Sequence, residues 1–174
     1  MPSYSRQRRS AKQTTSAVVR SFYHDVASHS LLPVIIYNFP GVTGGLDLDS
    51  DMIAAITRDS SNVVGAKLTC GSVAKIARLS ADLTPQFNRF AVFGGQSDSP
   101  LGWARRGECW ACGAAFGNVF PRSVSRIYDL WVCGRREEAL RLQRLLAVAE
   151  GASKVGGCGV LEICCCGVQC AEGG

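Results

Sequence analysis

The chain has 174 residues, 47% of them hydrophobic and 19% charged. That balance excludes a disordered tail, a collagen-like fibre and a coiled coil, and no run approaches the roughly 18 consecutive apolar residues of a membrane span. The net charge of +5 is concentrated at the front, where Arg6, Arg8, Arg9, Lys12 and Arg20 precede the first acid, Asp25. After that point bases and acids balance, so neither nucleic acid nor a membrane is an expected partner.

Residues 1–20 are rich in Arg, Ser and Thr and contain no acid. This is the composition of a mitochondrial transit peptide, and equally of a solvated basic lead into a helix. No apolar signal core is present, so reduced thiols and a cytoplasmic location are expected, with a mitochondrial address as the lesser alternative.

Ala17 to His29 places Val18, Val19, Phe22 and Val26 at helical spacing, and Pro33 closes that unit. Pro33 to Phe39 (PVIIYNF) is a short β-branched and aromatic run, predicted as a buried strand. Pro40-Gly41 and Gly44-Gly45 make a loop, and Asp47 or Asp49 can cap a helix over Ser50–Arg58. Asn62 to Leu68 (NVVGAKL) is a second buried strand, followed by an amphipathic helix over Ser72–Ala81. Phe90 to Phe93 is a third strand, and Trp110 to Phe116 is a weaker candidate for a fourth. Ser123–Val132 and Arg136–Glu150 read as helices. Strands apolar on both faces, alternating with helices, imply a parallel sheet covered by helices. From Gly156 onward the pattern breaks into an irregular Gly/Cys tract.

Nine cysteines are unevenly placed, five of them between Cys158 and Cys170. Cys109-x-x-Cys112 and Cys164-Cys165-Cys166-x-x-x-Cys170 resemble metal knuckles only superficially, because three adjacent thiols do not readily face one ion. No metal and no cofactor are expected.

In parallel α/β sheets the chemistry sits at the C-terminal strand ends. Tyr37 and Lys67 fall there on the first two strands. A lysine within an apolar strand is costly to bury while charged, and a neutral amine is a nucleophile for ketones. A neighbouring tyrosine can relay protons. The plainer reading is a lysine whose stem packs while its head reaches water, beside a core tyrosine.

The Tyr37-Asn38-Phe39-Pro40 core, GVTGGLDLD after it, and VVGAKLTCGSVAKIARL resemble the dihydrodipicolinate synthase / N-acetylneuraminate lyase family. FAVFGGQSD, FGNVFP and EEALRLQ extend the likeness over roughly residues 2–154. The nearest branch resembled is the fungal one, with 2-keto-3-deoxy sugar-acid aldolases and 4-hydroxy-2-oxoglutarate aldolase-like proteins. The resemblance implies an α/β fold, the C-terminal half of a (β/α)₈ TIM barrel. It implies a class I lyase, without metal, acting on a small 2-keto acid with pyruvate as product or donor, and a homo-oligomer.

By that resemblance Lys67 is the Schiff-base lysine and Tyr37 the proton-relay tyrosine. Thr43, Gly94, Gly95 and Gly113 shape the substrate pocket. Pro2-Ser3-Tyr4 resembles the end of the fourth barrel strand, so Tyr4 is a candidate for contributing to a neighbouring subunit's site. Val42 stands where the lysine-biosynthesis members carry an arginine, which argues against a second substrate carboxylate held there. Strands one to three, which would carry the carboxylate-binding loop, have no counterpart in the sequence. The alternative reading is therefore a catalytically inactive truncated family member or a gene-model fragment. The expected organisation is a basic lead over 1–20, a partial barrel domain over 21–154 and a Gly/Cys-rich irregular tail over 155–174.

Overall fold

The computed structural model describes residues 4–83, 90–97 and 115–156. Three short strands carry the sheet: β1 (Val34–Asn38), β2 (Val63–Leu68) and β3 (Ala91–Gly94). They run parallel in the order β1-β2-β3. Parallel neighbours need crossovers, and the helices α2 (Ser50–Asp59) and α3 (Val73–Leu83) supply them.

Strand alternation sends successive side chains to opposite faces. Ile36, Ala66, Leu68 and Val92 pack in one core with Ile53 and Ile56 of α2 and Ile76, Leu79 and Leu83 of α3. Ile36 in this core is 0% exposed. The opposite face carries Ile35 and Tyr37, which are 49% and 47% exposed. The sheet is thus covered on one side only among the described residues, although its strands are apolar on both.

The first helix, α1 (Tyr4–His29), is longer than the periodicity predicts. The basic lead is helical from Tyr4, because Arg, Gln, Lys and Ala favour helix without any apolar stripe. Tyr4 therefore opens a helix and does not end a strand. The other end of α1 is held by Asn62, whose amide donates to the carbonyls of Ala27, Ser30 and Leu32 at 3.2, 3.0 and 3.0 Å. Asp49 caps α2, its carboxylate accepting the Met52 amide at 2.9 Å. Ser72 does the same for α3, accepting the Lys75 amide at 3.3 Å.

The predicted strand over Trp110–Phe116 is corrected at its end. Ala115 and Phe116 belong to a 3₁₀ turn, Ala115–Asn118, and the rest of that segment lies outside the described residues. Small residues such as Ala115 and Gly117 leave little to hold a strand ladder. The turn leads into α4 (Pro121–Val132), with Pro121 at its first position, where a missing N–H costs nothing.

Gly134, at φ 78°, closes α4. The Arg135 amide reaches the Leu130 carbonyl at 2.9 Å and the Gly134 amide reaches Trp131 at 3.1 Å. This is a Schellman end, and it reverses the chain into α5 (Arg136–Gly156). Phe116, Phe120, Ile127, Leu130, Ala139, Leu146 and Ala149 form a second core, separate from that of the sheet. Gln143 of α5 ties back to the segment after β3, its amide donating to the Ser97 carbonyl at 3.1 Å.

Candidate active site

The site grows from the register of the sheet. Tyr37 of β1 lies directly beside Lys67 of β2, and Lys67 directly beside Phe93 of β3. All three side chains leave the uncovered face near the C-terminal strand ends. The Lys67 Nζ stands over the Tyr37 ring, 4.5 Å from its centroid. This contact meets the ring's negative face and is worth roughly 0.5–1 kcal/mol where water has access. Tyr37 in turn packs on Phe39, with centroids 5.8 Å apart. Lys67 is half-buried.

Glycines let these strands approach. A β-carbon at Gly65 would sit 2.6 Å from the Ala91 carbonyl oxygen, and one at Gly95 would sit 1.9 Å from the Thr69 hydroxyl. Gly95 also donates its amide to the Leu68 carbonyl at 3.0 Å. Close packing of the strand ends thus accounts for Gly95 without any ligand. Gly94 ends β3, buried beside Leu68.

Thr43 occupies the loop between β1 and α2. Its hydroxyl lies 3.1 Å from the Phe39 carbonyl and 2.9 Å from that of Leu46, donating within its own loop. It also lines a cavity of about 320 Å³ with Tyr37, Phe39 and the Val19, Phe22 and Tyr23 side of α1. Burial pushes the Tyr23 phenol up from its ordinary value. Gly113 lies outside the described residues. Tyr4 begins α1, and its side chain also lies outside them.

A further group at these strand ends escaped the sequence. Asn38, adjacent to Tyr37 but on the covered face, is fully buried. Its amide donates to Asp47 Oδ1 at 2.8 Å, and its own Oδ1 accepts the Leu48 amide at 3.1 Å. The Asn38 carbonyl accepts the Thr69 amide at 3.0 Å. The same Asp47 oxygen accepts a second donor, the Lys75 ammonium of α3. Partial burial alone would raise the Asp47 pKa, but Lys75 and Asn38 outweigh it and hold the carboxyl below the usual range. Asn38 was visible in the Tyr-Asn-x-Pro core. Asp47 and Lys75 lie 28 residues apart and share no local pattern.

Among the described residues, no group of three or more His, Cys, Asp or Glu side chains is placed to hold a metal ion. No helix among them is long and apolar enough to cross a membrane. Cys70 is half-buried and Cys133 exposed, both as free thiols. Cys109, Cys112 and the five cysteines from Cys158 onward lie outside the described residues.

Parallel strands joined by helices, with a tyrosine–lysine pair at their C-terminal ends, define part of a (β/α)₈ barrel. The pattern of the dihydrodipicolinate synthetase family matches residues 12–155, and the chain belongs to that family. A Coccidioides immitis protein, named as a candidate mitochondrial 4-hydroxy-2-oxoglutarate aldolase, is 54% identical over 145 residues, covering 83% of this chain and 45% of that one. The L-threo-3-deoxy-hexylosonate aldolase of Hypocrea jecorina is 33% identical over 151 residues, covering 84% and 46%. Among solved structures, a dihydrodipicolinate synthase family protein of Coccidioides immitis superposes with a TM-score of 0.70 at 50% identity, covering 83% of this chain and 44% of that one. A prophage protein of the same family from Escherichia coli K12, in complex with pyruvate, gives 0.72 at 25% identity, covering 83% and 48%. The chain spans about half the length of the relatives it matches.

Proposed function

We propose that this chain carries the Schiff-base site of a class I aldolase acting on a 2-keto acid, with pyruvate as product or donor. The observation carrying the proposal is the Lys67 amine poised 4.5 Å from the Tyr37 ring centroid on an accessible sheet face. Lys67 Nζ attacks the ketone carbon, and the carbonyl oxygen takes a proton to become the carbinolamine hydroxyl. That hydroxyl leaves as water, giving the iminium. The bond between C3 and C4 then breaks. Its electron pair enters the iminium to form the enamine of pyruvate, while the C4 hydroxyl loses a proton and becomes an aldehyde. Protonation of the enamine and hydrolysis release pyruvate and restore the amine. Tyr37 donates and accepts the protons of carbinolamine formation and collapse.

The names of the fungal relatives support an aldolase, and the pyruvate held by the Escherichia coli relative supports the keto acid. Val42, exposed in the loop, replaces the arginine that the lysine-biosynthesis members carry, which favours a sugar-acid or hydroxy-keto acid substrate. Thr43, Gly94, Gly95 and Gly113 are proposed pocket residues, and Tyr4 a proposed cross-subunit residue in a homo-oligomer. Two relatives carry mitochondrial in their names, so fractionation of cells between cytosol and mitochondria tests the expected cytoplasmic location.

A second reading is a family member without catalysis. The 47% exposure of Tyr37 favours it, since an open site screens charges and admits water. Incubation with pyruvate and borohydride, followed by intact mass and peptide mapping, decides between them. A reduced pyruvyl adduct on Lys67, absent from Lys67→Arg, is the expected result. A folded chain without adduct overturns the aldolase reading.

A further inference from the structure

Lys75 is out of place by ordinary rules. It is 7% exposed, and it stands in the first turn of α3, where the helix dipole disfavours a cation. Burying a charge there is offset only by a partner of good geometry. That partner is Asp47, in the loop that follows β1. One carboxylate oxygen of Asp47 takes both the Lys75 ammonium and the Asn38 amide, the latter at 2.8 Å. Asn38 then fastens in two further directions. Its side-chain oxygen accepts the Leu48 amide at 3.1 Å, and its carbonyl accepts the Thr69 amide at 3.0 Å. Asn38 is the backbone neighbour of Tyr37, and Thr69 lies two residues beyond Lys67. The chain of contacts therefore starts on α3 and ends beside both members of the reacting pair.

We propose that Lys75 is a positioning residue which, through Asp47 and Asn38, locks the ends of β1 and β2 so that Tyr37 and Lys67 stay in register. The inference rests on the aldolase reading, since it assigns the lock a reaction to serve. An ionic contact with one buried member, here Lys75, contributes little net stability, and in some proteins such contacts select one arrangement over others. Here the selected arrangement is the one in which the loop over residues 39–48 folds back on the strand ends. Small displacements of groups that must meet a bound keto acid are expensive in rate.

The test uses the full chain and three variants. Lys75→Met keeps an unbranched stem and removes the charge. Asp47→Asn keeps an acceptor for Asn38 and changes only an exposed carboxylate, so it serves if the first variant fails to fold. Amide hydrogen exchange is followed at Leu48 and Thr69, with the Met52 and Leu142 amides as controls. Pyruvate–borohydride trapping is followed at Lys67 as a function of pyruvate concentration, and Lys75→Arg is the conservative rescue.

The expected result is exchange about tenfold faster at Leu48 and Thr69 with the controls unmoved. The maximal trapping rate falls by about tenfold while half-saturation by pyruvate moves less, and Lys75→Arg restores most of the rate. Unchanged exchange at Leu48 and Thr69 overturns the lock. Faster exchange with an unchanged trapping rate overturns the positioning role. Faster exchange everywhere, controls included, reduces Lys75 to a stabilising residue and overturns the proposal likewise. Absence of any adduct in the unaltered chain overturns the aldolase reading, and the positioning role with it; the exchange comparison still decides the lock itself.

Discussion

At Gly95 a β-carbon would stand 2.7 Å from the Thr69 α-carbon as well as 1.9 Å from its hydroxyl. Backbone cannot swing aside as a side-chain tip can, so the strand ends must part. Gly95→Ala is expected to destabilise the sheet core by about 1–3 kcal/mol, read as a lowered urea midpoint at unchanged slope. Asp47 supplies a pH prediction. Its carboxyl is held below the ordinary value of 3.8, so the folded chain binds fewer protons there than the unfolded one. The resulting stabilisation is present above 3.8 and is lost as pH falls through the lowered folded value. The Asp47 side chain is 46% exposed, so solvent screening keeps the effect small. Thermal melts of the unaltered chain and Asp47→Asn should differ near neutral pH and converge in strong acid. Persistence of the difference at low pH would assign it to something other than charge.

At the scale of elements, the strands and helices were legible wherever a hydrophobic period repeats. VIIYN, VVGAKL and AVFG are apolar enough to mark strands, and the sequence narrows the cap of α2 to Asp47 or Asp49, of which Asp49 makes it, whereas the start of α4 reads at Ser123, two residues late. The start of α1 was not legible, because residues before Ala17 carry helix-forming residues without an apolar stripe to give a period. The pairing of Tyr37 with Lys67 followed from adjacent parallel strands, whereas Lys75 and Asp47 meet through tertiary packing alone. The helical pair α4–α5 gives a further expectation. Gly134 adopts a left-handed backbone, so Gly134→Ala should cost about 1 kcal/mol. Leu146→Ala, in the second core, should cost about 2–5 kcal/mol by cavity formation. Both are measured by chemical denaturation.

For the molecule as a whole, the sheet is the informative layer. Apolar runs showed that the strands could be buried on both faces, but not which face the described helices cover. The contrast between neighbouring isoleucines measures that difference. Ile36→Ala should cost about 2–5 kcal/mol, whereas Ile35→Thr, on the half-exposed face, should stay within about 0.5 kcal/mol. Equal costs would mean that the second face is covered in solution. Such covering has a clear chemical logic, since family relatives are about twice as long and an exposed row of apolar strand residues invites company.

β2 lies between β1 and β3, and it carries Lys67. Its side chain leaves on the same face as the half-exposed Tyr37, while the backbone beneath it is bonded on both sides. A reagent that acylates lysines can read the native state at this position, whereas deuterium entering the same residue's amide must wait for the sheet to come apart. The two clocks at one residue would run at very different speeds, and their ratio would report how firmly the strand is gripped.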